Sequence, residues 1–486
     1  MISILLTAIL AIPAAQAKIN RLHFAPGDVI TRDVVIIGGG AAGSHAAVRL
    51  KQNHGKSVVV VERESNLGGH VNTHIDEETG QIHDYGVQVY FPFEDAMDFF
   101  KQVNVTTYVN PGFGNNVNKF VDFTTGQALP DFKAVDAGLG IGAIKKYYDL
   151  TIAKGYDKMT EPGYWGLPAG KDIPADLLLP IGEFVKKYDI EPMLQMMYPS
   201  TGGDVASRGN FAQVMTLTFM KDFPTAWAKA YLGEVPMYRV EGGNQRLYDK
   251  IAALLGSDVL YDSLIEESHR SDSGVEVVVI NKKGERKLVV ARQLLVAVPP
   301  SRENLLPFDR NIRESSHFQK AKYGRSHTGI IANTKLPKDT TLRNMPSAAV
   351  QHPLYPFLKL PFVLSFSHYG STSKLFSLGV SGENYTAFEV EEAQATAQRS
   401  LEIISKAGTI PPLDGEPLKV VAWSDHGVGG FGVSPEDMRN GWMTEMNNLQ
   451  GYRSTWYTGG ALAADFTTTV WKFNDQVLAR MVKAVR

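Results

Sequence analysis

Apolar residues recur at two periods along the chain, and the switches between them mark its elements. Residues 34–37 in "DVVIIGGGAAG" (33–43) form an unbroken β-branched run, the pattern of a strand buried on both faces in a parallel sheet. "SHAAVRLKQNHG" follows with helical spacing and stops at Gly55, and "SVVVVE" predicts a second buried strand ending at Glu62. "IHDYGVQVY" (82–90) alternates like a strand. "VEGGNQRLYDKIAALLG" (240–256) predicts an amphipathic helix after Gly242-Gly243. Residues 275–280 and 287–290 predict a hairpin around Lys282-Lys283-Gly284, and 293–298 a further buried strand. The chain closes with a strand at 454–458, the pair Gly459-Gly460 and a helix from about Thr467.

Between these blocks the pattern changes. Residues 96–237 are mainly helical, as in "GAIKKYYDLTIAKGYDKM" and "IGEFVKKYDIEPMLQMMY", whereas 301–444 carry β-like stretches ("HTGIIANTKL", "PFVLSFSHYG", "KLFSLGVSG") and then one helix, "EVEEAQATAQRSLEIISKAG". Without repeats or a low-complexity linker, this order describes an interrupted dinucleotide fold with insertions rather than beads on a string.

The glycines of the first turn have distinct physical tasks. Gly38 permits the tight strand-to-helix turn, Gly40 lets backbone approach a pyrophosphate, and Gly43 lets the helix pack on the sheet. The helix N-terminus, Ala42 included, offers N–H groups and a favourable dipole to phosphate. Glu62, at the tip of the second strand, suits ribose hydroxyls. Strand, glycines, helix, strand and acid in register predict a bound dinucleotide. Ser44 and His45 fall in the first helical turn and read as ordinary helix positions.

Composition narrows the class. A chain of 486 residues with a formal charge of −2 holds two or three domains and has no basic footprint for nucleic acid. The absence of cysteine excludes disulfides, thiol catalysis, zinc-thiolate sites and a thioether-linked cofactor. "MISILLTAILAIPAAQA" (1–17) resembles a secretory signal cut before Lys18, although a positive residue near its start is missing. Its apolar run is shorter than the roughly 20 residues a membrane span needs, and no other run reaches that length. Sequons at Asn104 and Asn384 fit secretion and glycosylation but are no more than chance supplies.

"ERESNLGGHVNT" (62–73) resembles the loop that follows the ribose-binding acid in the flavin amine oxidase superfamily. That likeness, and not Glu62 alone, points to FAD. In those proteins the Gly-Gly pair, here Gly68-Gly69, lets the chain run against the cofactor. Many members have arginine where this chain has Asn66 and His70, so His70 is expected to face the cofactor in its own way. His70 and His74 also have HxxxH spacing, but the glutamate of a zincin helix is missing and a glycine pair precedes them, so no metal is expected. The resemblance extends to Asp84-x-Gly86, to an adenine contact around Ile265, and to Gly459-Gly460 beside the ribityl chain. Within the superfamily the chain is similar to the β-cyclopiazonate dehydrogenase family. It is also similar to polyenoic fatty acid isomerase through "LPIGEFVKKY" (179–188) and "GWMTEMNNLQGYRSTWYTGG" (441–460).

The resemblance implies an α/β fold: a discontinuous Rossmann-like FAD-binding domain of the glutathione reductase/amine oxidase type with an inserted α+β substrate domain. Segments 30–95, 238–300 and 445–486 would bind FAD, and 96–237 and 301–444 would bind substrate. The expected activity is a secreted FAD-dependent oxidoreductase that takes a hydride from a small, largely apolar organic substrate at a C–N or C–C position. A double-bond isomerase, an amine or amino acid oxidase and a non-catalytic flavin binder are the rivals. No catalytic residue follows from spacing. His426 in "AWSDHG", before a glycine-rich turn at 427–432, is a candidate for polar chemistry; a structural histidine is the plainer expectation. Of Trp456 and Tyr457 at most one can stack on the flavin, since they point to opposite faces. Arg453 would meet an acidic substrate group or a surface carboxylate. The aromatic and Met-rich stretches 193–198 and 211–227 would form helix core or line an apolar cavity.

Overall fold

The computed structural model describes residues 19–112, 114–198, 211–351, 358–370, 373–382 and 388–484; the leader 1–17 and the Asn384 sequon lie outside them. Its strands begin with β1 (Val29–Ile37), β2 (Val58–Val61), the hairpin β3 (Val71–Ile75) and β4 (Ile82–Gly86), β5 (Thr107–Val109) and β6 (Val117–Val121). The middle block holds β7 (Tyr238–Val240), β8 (Val259–Leu260), β9 (Ser263–Ser271), β10 (Gly274–Asn281) and β11 (Arg286–Val296). Then come β12 (Lys322–Ala332), β13 (Thr340–Asn344), β14 (Phe362–His368), β15 (Leu375–Gly382), β16 (Lys419–Gly432) and β17 (Thr455–Tyr457). The helices that matter below are α1 (Ala41–Val48), α2 (Ala137–Ala153), α3 (Thr216–Asp222), α4 (Gln245–Leu255), α5 (Val390–Lys406) and α6 (Thr467–Ala484).

One sheet gathers strands from three distant parts of the chain in the order β8-β2-β1-β11-β10-β9, with β17 on the far half of β11. β1 sits between parallel neighbours, Val35 opposite both Val59 and Leu294. That is why Val34, Val35 and Ile36 are fully buried and the run shows no alternation. β11 pairs antiparallel with β10 through 287–291 and parallel with β17 through 294–296. The hairpin at 275–290 is therefore present, but 293–296 continue its second strand instead of starting another.

The second sheet runs β16-β12-β15-β14-β13-β6, antiparallel except for the β13–β6 pair. Leu342, Phe366, Phe376 and Leu378 turn one face toward α5, where Ala393, Ala397, Leu401 and Ile404 form the matching helical stripe. The intervening positions, Thr341, Arg343, Ser365, Ser367 and Ser377, line a cavity on the opposite face. The expected glycine-rich turn after His426 is instead the end of β16, which reaches Gly432. β16 pairs with β12 through three register shifts that absorb its irregular backbone.

Residues 193–198 and 211–223 are helix core: Met193, Leu194, Met197, Phe211, Phe219 and Phe223 are buried. Among the described residues no helix is long and apolar enough to cross a membrane.

Candidate active site

The turn after β1 is closed from several sides at once. Gly38 has φ +95°, and a Cβ there would lie 2.6 Å from Val298 Cγ1. A Cβ on Gly43 would run into the Gly38 carbonyl oxygen, which is why α1 can lie tight on the turn only with glycine there. Gly40 caps α1 without a side-chain bond, so the first-turn N–H groups remain available to an external acceptor. Facing Gly40 is the second glycine pair. Gly68 N donates to Gly39 O at 3.0 Å, and a Cβ on Gly69 would come within 2.9 Å of Gly40 Cα. Two bare backbones thus form a narrow cradle that any side chain would fill.

Glu62 is buried and already committed on two sides. Its Oε2 accepts from Gly39 N at 2.6 Å and its Oε1 from Glu64 N at 2.8 Å. Burial raises its pKa, and the two amides oppose that shift. A carboxylate has acceptor sites beyond these two, so the group can also take hydroxyl donors. Ile265 is half-buried on β9, opposite Val279 at a register shift, while Ser263 N at the start of that strand donates to Glu62 O at 2.8 Å.

The C-terminal segment reaches the same turn. Thr458 N donates to Val296 O at 3.0 Å, and a Cβ on Gly459 would touch Ala42 Cβ at 3.9 Å. α6 is pinned to α1 by Asn474 Nδ2 donating to Ala42 O (2.6 Å) and Trp471 Nε1 to Ala41 O (3.2 Å). At Gly460 a Cβ would meet the Asp465 carboxylate, which would have to turn aside. Gly38, Gly40, Ala42, Gly43, Glu62, Gly69, Gly459 and Gly460 converge. Ser44 and His45 are buried structural positions: Ser44 Oγ donates to Gly39 O at 2.6 Å, and the His45 ring packs on Phe99 and Trp471.

Beside this cradle lies a cavity of about 1430 Å³. One wall holds His70, Gly86 and His426; another holds Asp465, Phe466 and Thr467 at the entry to α6. The His70 and His426 rings stack at 4.2 Å, 4° from parallel. His70 Nε2 lies 2.8 Å from the His426 carbonyl oxygen. A carbonyl only accepts, so Nε2 is the nitrogen of His70 that donates in this contact. His426 Nε2 is sealed from solvent with no partner among the described residues, and it aims at Gly86, where a Cβ would stand 3.1 Å away. Burial, reinforced by the His70 charge, pushes the His426 pKa well below the ordinary histidine value. The residue on β16 is thus held neutral. Nearby Asp84 is raised by burial although Thr73 Oγ1 (2.6 Å) and Asn244 N (2.8 Å) donate to it.

Several expected roles move elsewhere. His74 lies on the extended strand β3 and His70 in the turn before it, so the pair does not have the helical spacing of HxxxH. Trp456 Nε1 donates to Gln293 Oε1 at 2.7 Å, while Tyr457 packs on Phe318; neither lines the cavity. Arg453 meets Asp309 and Glu314 beside Arg270 in an internal ion network rather than a substrate or the surface. Of the aromatic stretch 211–227, Trp227 reaches the cavity, its ring 3.7 Å from that of Phe466. The polar face of the second sheet was missed, although alternation in "TTLRN" and "FVLSFSH" carries the signal.

The cradle fits an extended dinucleotide: opposed glycine backbones, an uncapped helix N-terminus, a buried carboxylate, and the sealed Thr468 Oγ1 at the start of α6, without a partner among the described residues. Comparison with known proteins agrees. A profile of the NAD(P)-binding Rossmann-like domain matches residues 36–103. The chain is similar to solved structures of the flavin amine oxidase type. It matches a fatty acid isomerase from P. acnes with a TM-score of 0.69 at 18% identity (92% of this chain, 98% of that one). A redesigned putrescine oxidase matches with a TM-score of 0.59 at 15% identity (94% and 99%). Fold and cradle together define a dinucleotide-binding protein with an inserted second sheet.

Two curated relatives narrow this further. The chain is 31% identical to the FAD-dependent oxidoreductase pigF of Monascus ruber over 96% of each chain, and 30% identical to beta-cyclopiazonate dehydrogenase of Aspergillus oryzae over 94% of each. The chain belongs to the FAD-dependent oxidoreductase family that includes beta-cyclopiazonate dehydrogenase.

Proposed function

We propose that this enzyme dehydrogenates a small organic molecule at a C–N or C–C position, as a step of secondary metabolism, after entry into the secretory pathway. One observation carries the reading: a single cavity is bounded by the cofactor loop at His70 and Gly86, by the entry to α6, and by the second sheet. In this reading segments 30–95, 238–300 and 445–486 bind the cofactor, and the two insertions enclose substrate. The Gly40–Gly69 cradle and the α1 N-terminus would hold the FAD pyrophosphate, Glu62 the ribose, the backbone near Ile265 the adenine, and Gly459-Gly460 the ribityl portion. His70 would lie against the cofactor.

When bound, FAD supplies a two-electron acceptor for a hydride from a substrate C–H. The chain supplies orientation and exclusion of water. Trp227, Phe466, Leu364 and Met237 offer an apolar side to the substrate body, while the β13–β14 face offers polar groups. The neutral His426 ring, with Nε2 unpartnered among the described residues, gives that wall a base for the proton that leaves with the hydride. The names of the relatives support a metabolite substrate, and "MISILLTAILAIPAAQA" supports export.

The test is anaerobic mixing of the purified, FAD-loaded protein with a panel of amines, lactams and unsaturated acids. Bleaching of the flavin by a panel member, with turnover that stops when no external acceptor is present, is expected. Sustained turnover without an acceptor would mark an isomerase instead, and a flavin that no compound reduces would reject catalysis. A mature N-terminus at Lys18 after expression in a secreting host is the matching expectation for localisation.

A further inference from the structure

The charged and polar groups on the cavity face of the second sheet satisfy one another with one exception. Thr341 and Arg343 on β13, and Asp339 just before it, share the cavity face. Thr341 Oγ1 is 2.8 Å from Ser367 Oγ, and Asn116 Nδ2 donates to His368 O at 2.6 Å, so these groups satisfy one another. Asp339 turns its carboxylate to solvent, 3.4 Å from His368 Nδ1. Arg239, the other cavity arginine, sits near Asp84 and offsets part of its burial.

Arg343 differs. Its guanidinium carries five N–H donors in a rigid fork. Among the described residues no carboxylate lies within ion-pair distance of it, and its side-chain contacts are to Asn118 Oδ1 at 3.3 and 3.4 Å. Those are longer than the usual 2.7–3.2 Å of such bonds. The group is half-buried, and desolvation pulls its pKa below the ordinary arginine value against the influence of Tyr198 and Tyr231. An arginine stays charged under such a shift. A half-buried cation with no anion beside it has given up part of its hydration, a cost that an anionic ligand in the cavity would offset. Ser365, directly opposite on β14, adds a hydroxyl on the same face.

We propose that Arg343 is a specificity-determining residue that receives an anionic oxygen pair, a carboxylate or a delocalised enolate, on the substrate. The inference rests on the reading of this cavity as the substrate site. It assigns the substrate a polarised shape: an acidic group at the second sheet and an apolar body toward Trp227 and Phe466.

The experiment uses the FAD-loaded protein and two matched probes, 4-phenylbutanoate and its neutral amide, 4-phenylbutanamide, titrated by tryptophan fluorescence and flavin absorbance. A charge-assisted bidentate contact predicts that the acid binds roughly 10- to 100-fold tighter than the amide. R343Q should abolish that preference, and R343K should keep part of it. Retained flavin content in each variant shows that folding and cofactor binding survive. Equal affinity of acid and amide, binding of neither at millimolar concentration, or an acid preference that persists in R343Q would each overturn the proposal. The two readings fail separately: a flavin-loaded protein without acid preference removes only the Arg343 assignment, whereas acid preference in a protein that refuses FAD removes only the oxidoreductase site.

Discussion

Replacing Gly69 by alanine tests the cradle at its narrowest point. The residue has φ +58°, where an alanine costs about 1–2 kcal/mol relative to ordinary backbone. Its new Cβ would lie 2.9 Å from Gly40 Cα, against about 3.5–4.0 Å for carbon atoms at rest, so the two backbones must part by roughly 0.6–1 Å. Forcing that separation into packed surroundings costs about 1–3 kcal/mol more. The sum, roughly 2–5 kcal/mol, is expected as a lower denaturation midpoint of the apoprotein in guanidinium chloride. In the proposed placement of FAD, parting the backbones would also withdraw amides from its phosphates. Loss of one such bond, about 1.5–3 kcal/mol, predicts FAD binding weaker by roughly 10- to 150-fold in a fluorescence-quenching titration. Gly142→Ala is the control. That glycine lies on α2 with nothing within 4 Å of the added Cβ, and it should stabilise the protein by about 0.5–1 kcal/mol without touching FAD affinity. A Gly69→Ala protein that binds FAD within threefold of the parent, at an unchanged midpoint, would refute the reasoning.

Other outcomes follow from the same geometry. Burial lowers His317 from 6.5 to about 4, and its ring stacks 4.4 Å from Trp442. Because the folded state resists protonation, this residue's contribution is present above pH 6.5 and is lost as pH falls toward 4, about 3 kcal/mol in all. His317→Phe should therefore flatten the fall of unfolding free energy between pH 7 and 4 in denaturant titrations, and an unchanged slope would contradict the assignment. Glu62→Gln keeps the shape but replaces one acceptor oxygen by a donor group facing Gly39 N or the ribose. FAD affinity should drop roughly 10- to 100-fold, read by equilibrium dialysis, and no change would remove Glu62 from the site. Trp227→Ala opens the apolar side of the cavity. The affinity of 4-phenylbutanamide should fall by about 2- to 10-fold while flavin content stays constant; undiminished binding would place the probe elsewhere.

The cofactor half of the molecule was legible because its constraints are local. A strand buried on both faces shows as Val34, Val35, Ile36 and Ile37 in a row, and the turn that follows needs glycine at Gly38 and Gly43 for steric reasons that the structure makes explicit. Residues whose roles depend on distant partners were not legible. Arg453 looks like a surface cation in sequence, but Asp309 and Glu314, some 140 positions away, draw it inward. Trp456 faces Gln293 for a similar reason. His426 stood out from its glycine-rich surroundings, yet nothing local predicts that His70, 356 positions earlier, stacks on it. The glycines after it suggested a turn because glycine is rare in strands; pairing with β12 through register shifts makes them a strand end instead. The polar cavity wall was written in the alternation of β13 and β14, with Leu342 and Phe366 inward to α5 and Arg343, Ser365 and Ser367 outward to the cavity.

The central claim is that the segments around Gly40, Glu62 and Gly459 enclose one FAD per chain. The most direct measurement is flavin stoichiometry of the freshly purified protein, from its visible spectrum and from nucleotide released on denaturation, with reconstitution of any apoprotein by added FAD. The account predicts a yellow protein carrying, or taking up, one equivalent of FAD. A colourless protein that refuses FAD on reconstitution would contradict it.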